Sequence, residues 1–110
     1  MKEFHAHLYY EKDSLGTAKD VVKMATDLSY VKIGRMHEKP VGPHPMWSCQ
    51  ILFNTEDLPK MLPWLMKNRK GLKVFIHPIS DNALEDHTIH TMWLGAVSYT
   101  HLTLPTTPYV

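Results

Sequence analysis

Phe4-His5-Ala6-His7-Leu8-Tyr9-Tyr10 is the stretch on which the fold turns. Phe4, Ala6, Leu8 and Tyr10 alternate with His5, His7 and Tyr9, the period of a strand with one face on a core and imidazoles on the other. A turn at residues 13–17 follows, and Ala18, Val21, Val22, Ala25 and Leu28 then recur at helical spacing, which predicts a helix packed on that core face. Ser29 to Met36 reads as a second strand. The segment Lys39-Pro40-Val41-Gly42-Pro43-His44-Pro45 holds three prolines and a glycine in six residues and excludes regular structure. Met46 to Phe53 reads as a third strand, with Trp47, Cys49, Ile51 and Phe53 on its apolar face and Ser48 and Gln50 on the other. Leu58, Met61, Leu62, Leu65 and Met66 predict a second helix, capped near Asn54 to Asp57 and closed by Lys70-Gly71. Pro63 inside it predicts a kink or a late start. Lys73 to His77 reads as a fourth strand halted by Pro78.

The order βαββαβ predicts an α+β, ferredoxin-like sandwich with an antiparallel sheet and both helices on one face. The expected strand order is 4-1-3-2, with the first strand central and antiparallel to the fourth. The third strand is taken to run parallel to the first, which would bring His44, just before it, to the sheet edge that holds His5, His7 and His77. At 110 residues, 44% hydrophobic, the chain fits one domain, expected over residues 1–95. Residues 96–110 are set apart as an atypical tail, poorly ordered or non-native, because no charged side chain occurs after Asp86 and the composition turns to Thr, Pro, Leu and small residues.

Charge narrows the function classes. A net charge of +1 gives no drive toward nucleic acid or an anionic membrane, and the basic stretches Lys32 to Lys39 and Lys67 to Lys73 are short. No apolar run approaches the roughly 20 residues of a membrane span. The single Cys49 excludes an intrachain disulfide and, with no targeting segment, leads to an expected cytoplasmic location. No Gly-rich phosphate loop, nucleophile elbow, paired-cysteine zinc motif or HExxH signature occurs.

Five of the eight histidines, His5, His7, His44, His77 and His87, stand in apolar or turn contexts where a free imidazole is costly. Neutral imidazole ligates divalent metals, and its proton affinity near pH 7 suits acid/base work, so convergence of several points to a metal or proton-transfer site. Taken singly, each reads more readily as a hydrogen-bonded structural histidine. Glu85 and Asp86 beside His87 could orient an imidazole or complete a ligand set, but read at least as readily as a solvated acidic turn. Arg35 and Arg69 read as surface charges before they read as partners of a substrate carboxylate. Trp64, with Met61 and Met66, reads as packing.

Together, Phe4 to Tyr10, Val41-Gly42-Pro43-His44-Pro45, Lys73 to Pro78 and Asp86-His87-Thr88-Ile89-His90-Thr91-Met92-Trp93-Leu94-Gly95 resemble the DOPA 4,5-dioxygenase family, small non-haem-iron extradiol dioxygenases. The resemblance covers about residues 4 to 95 and rests on HxH, GPHP, HP and DHxxHxxWLG in the family's order. It implies a ferredoxin-like fold, an Fe(II) cofactor, with Zn or another divalent metal as a substitute in a purified sample, and opening of a catechol ring such as that of DOPA by O2. It maps onto His5, His7, His44, His77 and His87. The expected ligands are His7, His44 and His77, with His5 or His87 as acid/base and Tyr9 and Gln50 lining the pocket. After Gly95 the chain departs from the family's acidic, proline-containing continuation. An open sheet face on so small a domain predicts a homodimer as its cover. The competing expectations are a different metal-dependent activity on the same site, a structural zinc domain, disfavoured by the lack of cysteine ligands, and a non-catalytic dimeric module binding a small ligand or a metal.

Overall fold

In the computed structural model, which describes residues 2–96, the alternating segment forms β1 (Glu3–Tyr10) at the centre of a five-stranded sheet. A short 3-10 turn leads into α1 (Leu15–Ala25), then come β2 (Val31–Met36), β3 (Trp47–Asn54), a second 3-10 turn, α2 (Leu58–Asn68), β4 (Val74–Ile79), α3 (Ala83–Thr88) and β5 (Met92–Leu94). The spatial order is β2-β3-β1-β4-β5, so the expected α+β arrangement holds, extended by one edge strand and one short helix.

The expected parallel pairing of β1 with β3 is wrong. The two strands are antiparallel, Phe4 opposite Phe53 and Tyr10 opposite Trp47, as are β1 with β4, β2 with β3 and β4 with β5. One helical crossover with one strand skipped returns the chain in the direction that makes every neighbour antiparallel. His44 therefore approaches from the Tyr10 end of β1. It still reaches the histidines, because the proline-rich loop folds back along the sheet face.

The alternation sorts the two faces as expected. Ala6, Leu8, Tyr10, Cys49, Ile51, Phe53, Val74 and Ile76 are buried on one side against Ala18, Val21 and Ala25 of α1 and Met61 and Leu65 of α2. Trp64 packs partly buried against the same cluster. Leu65→Ala in this core should lower unfolding free energy by about 2–5 kcal/mol in urea titrations, the usual cost of a buried leucine cavity. Pro63 neither delays nor interrupts α2. It is exposed, as is Pro59, so the carbonyl that loses its helical partner faces water. Pro78 does not halt β4 but lies within it, paired with Phe4, beyond Ile76 where the pairing with β5 stops. No ladder bond to β5 is needed from its missing N–H.

The other face carries His5, His7, Tyr9, Ser48, Gln50, Phe75, His77 and Trp93, and the chain covers much of it itself. The loop before β3 brings His44 over it, and α3 brings His87. His7, Tyr9, Phe75 and His77 are each buried to 5% exposure or less within one chain. A second copy is not needed to bury them. All but the first residue of the tail assigned to 96–110 lies outside the described residues.

Candidate metal centre

β1 and β4 set the base of the site. His5 and His77 are directly opposed in the ladder, and His7 is two residues along the same face, next to Phe75. The His7 and His77 rings lie nearly parallel, and their Nε2 atoms are 3.0 Å apart. His5 meets both edge-on, with ring centroids at 5.4 and 5.2 Å. From the loop, His44 comes within 4.1 Å of the His7 ring, and from α3, His87 comes within 4.1 Å of the His77 ring. All five imidazoles line one cavity of about 320 Å³, together with His37, Ser48, Gln50, Ser80 and Asp86.

Hydrogen bonds fix which nitrogens face inward. A carbonyl only accepts, so His77 Nδ1–H donates to Pro78 O at 2.8 Å and His87 Nδ1–H donates to Ala83 O at 2.8 Å. Each neutral ring then keeps a lone pair on Nε2. The Tyr9 hydroxyl, held protonated because burial raises its pKa, bonds His44 Nδ1 at 2.6 Å. Without an ion, the short His7–His77 contact needs one proton, carried on Nε2 of His7.

Burial is the chief influence on proton affinity. It lowers the pKa of His7 far below the ordinary range, with further lowering by His44, His77, His5 and His87. Burial likewise lowers His77 to about 4, against a raising effect of its bond to Pro78. His5 is lowered by burial and by His87, partly offset by Glu3. His5, His7 and His77 are therefore neutral imidazoles near pH 7.

Such a donor set fits a borderline divalent ion. Two nitrogens each about 2.1 Å from an ion and at right angles around it are about 3.0 Å apart, the separation His7 and His77 already have. Two groups of three can offer nitrogen atoms within 4.8 Å of one another, His5 with His7 and His77, and His7 with His44 and His87. His7 belongs to both.

The family model for the Dopa 4,5-dioxygenase family matches residues 4–104, which includes all five of these histidines. The chain belongs to the Dopa 4,5-dioxygenase family. The family match runs past Gly95 into the tail. A DOPA 4,5-dioxygenase of Amanita muscaria is 29% identical over 104 residues, 86% of this chain and 46% of that protein. An uncharacterized 21.2 kDa protein of Botryotinia fuckeliana is 30% identical over 84% of this chain and 57% of its own length. The chain thus spans about half the length of these curated relatives. The crystal structure of a candidate dioxygenase from Nostoc punctiforme superposes with a TM-score of 0.86 at 38% identity, over 89% of this chain and 85% of that one.

Within this member of the Dopa 4,5-dioxygenase family, the residues expected from the sequence mostly converge. His5, His7, His44, His77, His87 and Gln50 line the cavity. Tyr9 does not. It is buried behind the cavity with its hydroxyl on His44, since a strand residue next to Phe75 and Trp93 is packed under the site rather than in it. Arg35 and Arg69 are also outside, and Arg69 Nη1 donates to Leu72 O at 2.8 Å. His37, not singled out from the sequence, also lines the cavity, as does Asp86, which the sequence reads at least as readily as part of a solvated acidic turn. For Asp86, an acidic side chain beside a candidate histidine was the available signal; what hid it was the unrecognised helix that buries it.

Proposed function

We propose that this chain is an Fe(II)-dependent dioxygenase that opens the ring of a catechol such as DOPA with O2, by extradiol cleavage. The observation that carries it is the wall of five converging imidazoles around one cavity, in a chain of a family named for that chemistry. His7, His44 and His77 would hold the metal, and their bonds to Tyr9 and Pro78 orient two of the three rings. When bound, iron(II) supplies the capacity to bring a catecholate and O2 into reaction, which no side chain has.

The remaining work belongs to the chain. His5 and His87 both stand against the His77 ring, as a base for a catechol hydroxyl and a source of the proton returned later. Burial lowers the His5 pKa, so that ring is neutral near pH 7 and has a lone pair for that proton. Gln50 and Ser48 offer hydrogen bonds to the ring substituents from the cavity floor. Phe75, buried beneath His7 and His77, limits water below the site. Zn(II) would occupy the same nitrogens without supporting turnover.

The test is anaerobic loading with Fe(II), then addition of DOPA and simple catechols in air while following O2 uptake and a new yellow absorbance. Both signals are expected, and both should vanish in a His77→Ala variant. Stoichiometric iron with neither signal for any catechol would sink the proposed reaction. No helix among the described residues is long and apolar enough to cross a membrane.

A further inference from the structure

Asp86 is the one carboxylate fully buried among the described residues, at 2% exposure. Its Oδ2 accepts the Ser80 backbone N–H at 2.7 Å and its Oδ1 accepts the Ser80 hydroxyl at 2.7 Å. Burial alone would raise its pKa, but the two bonds from Ser80, with His77 and His90 nearby, outweigh that and hold the carboxyl below its ordinary value. The latch thus keeps its charge and both bonds near pH 7.

The place of the latch gives it meaning. Ser80 directly follows β4, which carries His77, and Asp86 lies in α3 immediately before His87. A helix of six residues has too few internal bonds to hold itself in water. Its start is tied locally, where Asn82 Oδ1 accepts Glu85 N–H at 3.1 Å and Asn82 Nδ2 donates to Glu85 Oε1 at 2.8 Å. Glu85 is thereby spent on closing the helix. The His87 ring is fixed to the same helix by its bond to Ala83 O, so ring and helix move together. What remains to be set is the rotation and height of α3 on the sheet, and the two Ser80 bonds set both. The result is a His87 ring 4.1 Å from that of His77 and 6.3 Å from that of His44.

We propose that Asp86, acting through Ser80, is the positioning residue that aims His87 at the other imidazoles. The positioning stands on these contacts, and only its consequence for turnover rests on the dioxygenase reading above. Long-range proton–nitrogen spectra of the imidazoles in the full, metal-free chain test it directly. In the parent, His87 should be one tautomer, protonated on Nδ1. In Asp86→Ala, and in the gentler Ser80→Ala should the first not fold, the His87 ring signals should shift and the Overhauser contacts between the His87 and His77 rings should weaken while the His5 signals stay put. Asp86→Asn, which keeps an acceptor for Ser80, should restore part of the parent signal. Unchanged His87 signals in a folded variant overturn the proposal.

Turnover supplies the second arm. With Fe(II) and a catechol, Asp86→Ala should lower kcat about tenfold or more in the parent and have little effect in a His87→Ala background, the non-additivity of residues acting as one unit. Equal losses in both backgrounds would mean that Asp86 acts otherwise, and would overturn the proposal. A parent that turns over no catechol would refute the dioxygenase reading and leave the nitrogen spectra to decide the positioning.

Discussion

His7→Ala should abolish metal binding, weakening affinity by more than the ten- to hundred-fold typical of losing a residue that merely orients a ligand. His7 is in the proposed set with His44 and His77 and in both compact groups of three, so no alternative set among them survives its removal. His5→Ala and His87→Ala should keep stoichiometric binding. Competition between the protein and a coloured chelator for Co(II) or Zn(II) measures this without relying on turnover. The fold should tolerate the change, because the ring faces the cavity and its neighbours Ala6 and Leu8 keep their core contacts. A His7→Ala protein that takes up metal as tightly as the parent would exclude every grouping considered above. Loss in His5→Ala but not in His44→Ala would instead assign the ion to His5, His7 and His77.

The metal-free protein should lose stability steeply as the pH falls from about 6.5 to about 4. The His77 pKa is lowered from 6.5 to about 4 in the folded chain, so across this window the unfolded chain binds the proton and the folded chain does not. Stability therefore rises with pH through the window, is complete above it, and is lost as the pH drops. A difference of about 2.5 units corresponds to roughly 3 kcal/mol from His77 by pH 4. His7, lowered further by burial and by four neighbouring imidazoles, adds to the loss in the same direction. Urea unfolding followed by circular dichroism at pH 7, 6, 5 and 4 gives the curve. A flat curve would mean that the buried imidazoles find proton acceptors in the folded state, contrary to their contacts.

Much of this architecture was legible because alternation and helical spacing report directly which side chains leave water. Residues 4–10 placed His5 and His7 opposite the core, and the short apolar run before His77 located it in a strand, although Pro78 does not end that strand. Strand direction was not legible, since it depends on how many strands a crossover skips, and the assumed parallel β3 gave His44 the wrong route to the right place. The segment from Ala83 to Leu94 was read as motif and turn because a six-residue helix and a three-residue strand are too short for periodicity to show. Asp86 was obscured for that reason. Tyr9 was assigned to the cavity because face alternation tells which side a residue is on but not what lies above it.

The loop that carries His44 has a consequence for how the site greets an ion. Pro40, Pro43 and Pro45 each fix one backbone angle and restrict the residue before them, so the segment explores few shapes even when the chain is unfolded. Little freedom is then left to surrender when His44 settles against Tyr9 and His7. This irregular loop is thus a template made ready in advance, and the prolines that rule out helix and strand are what limit the freedom His44 gives up on joining the site.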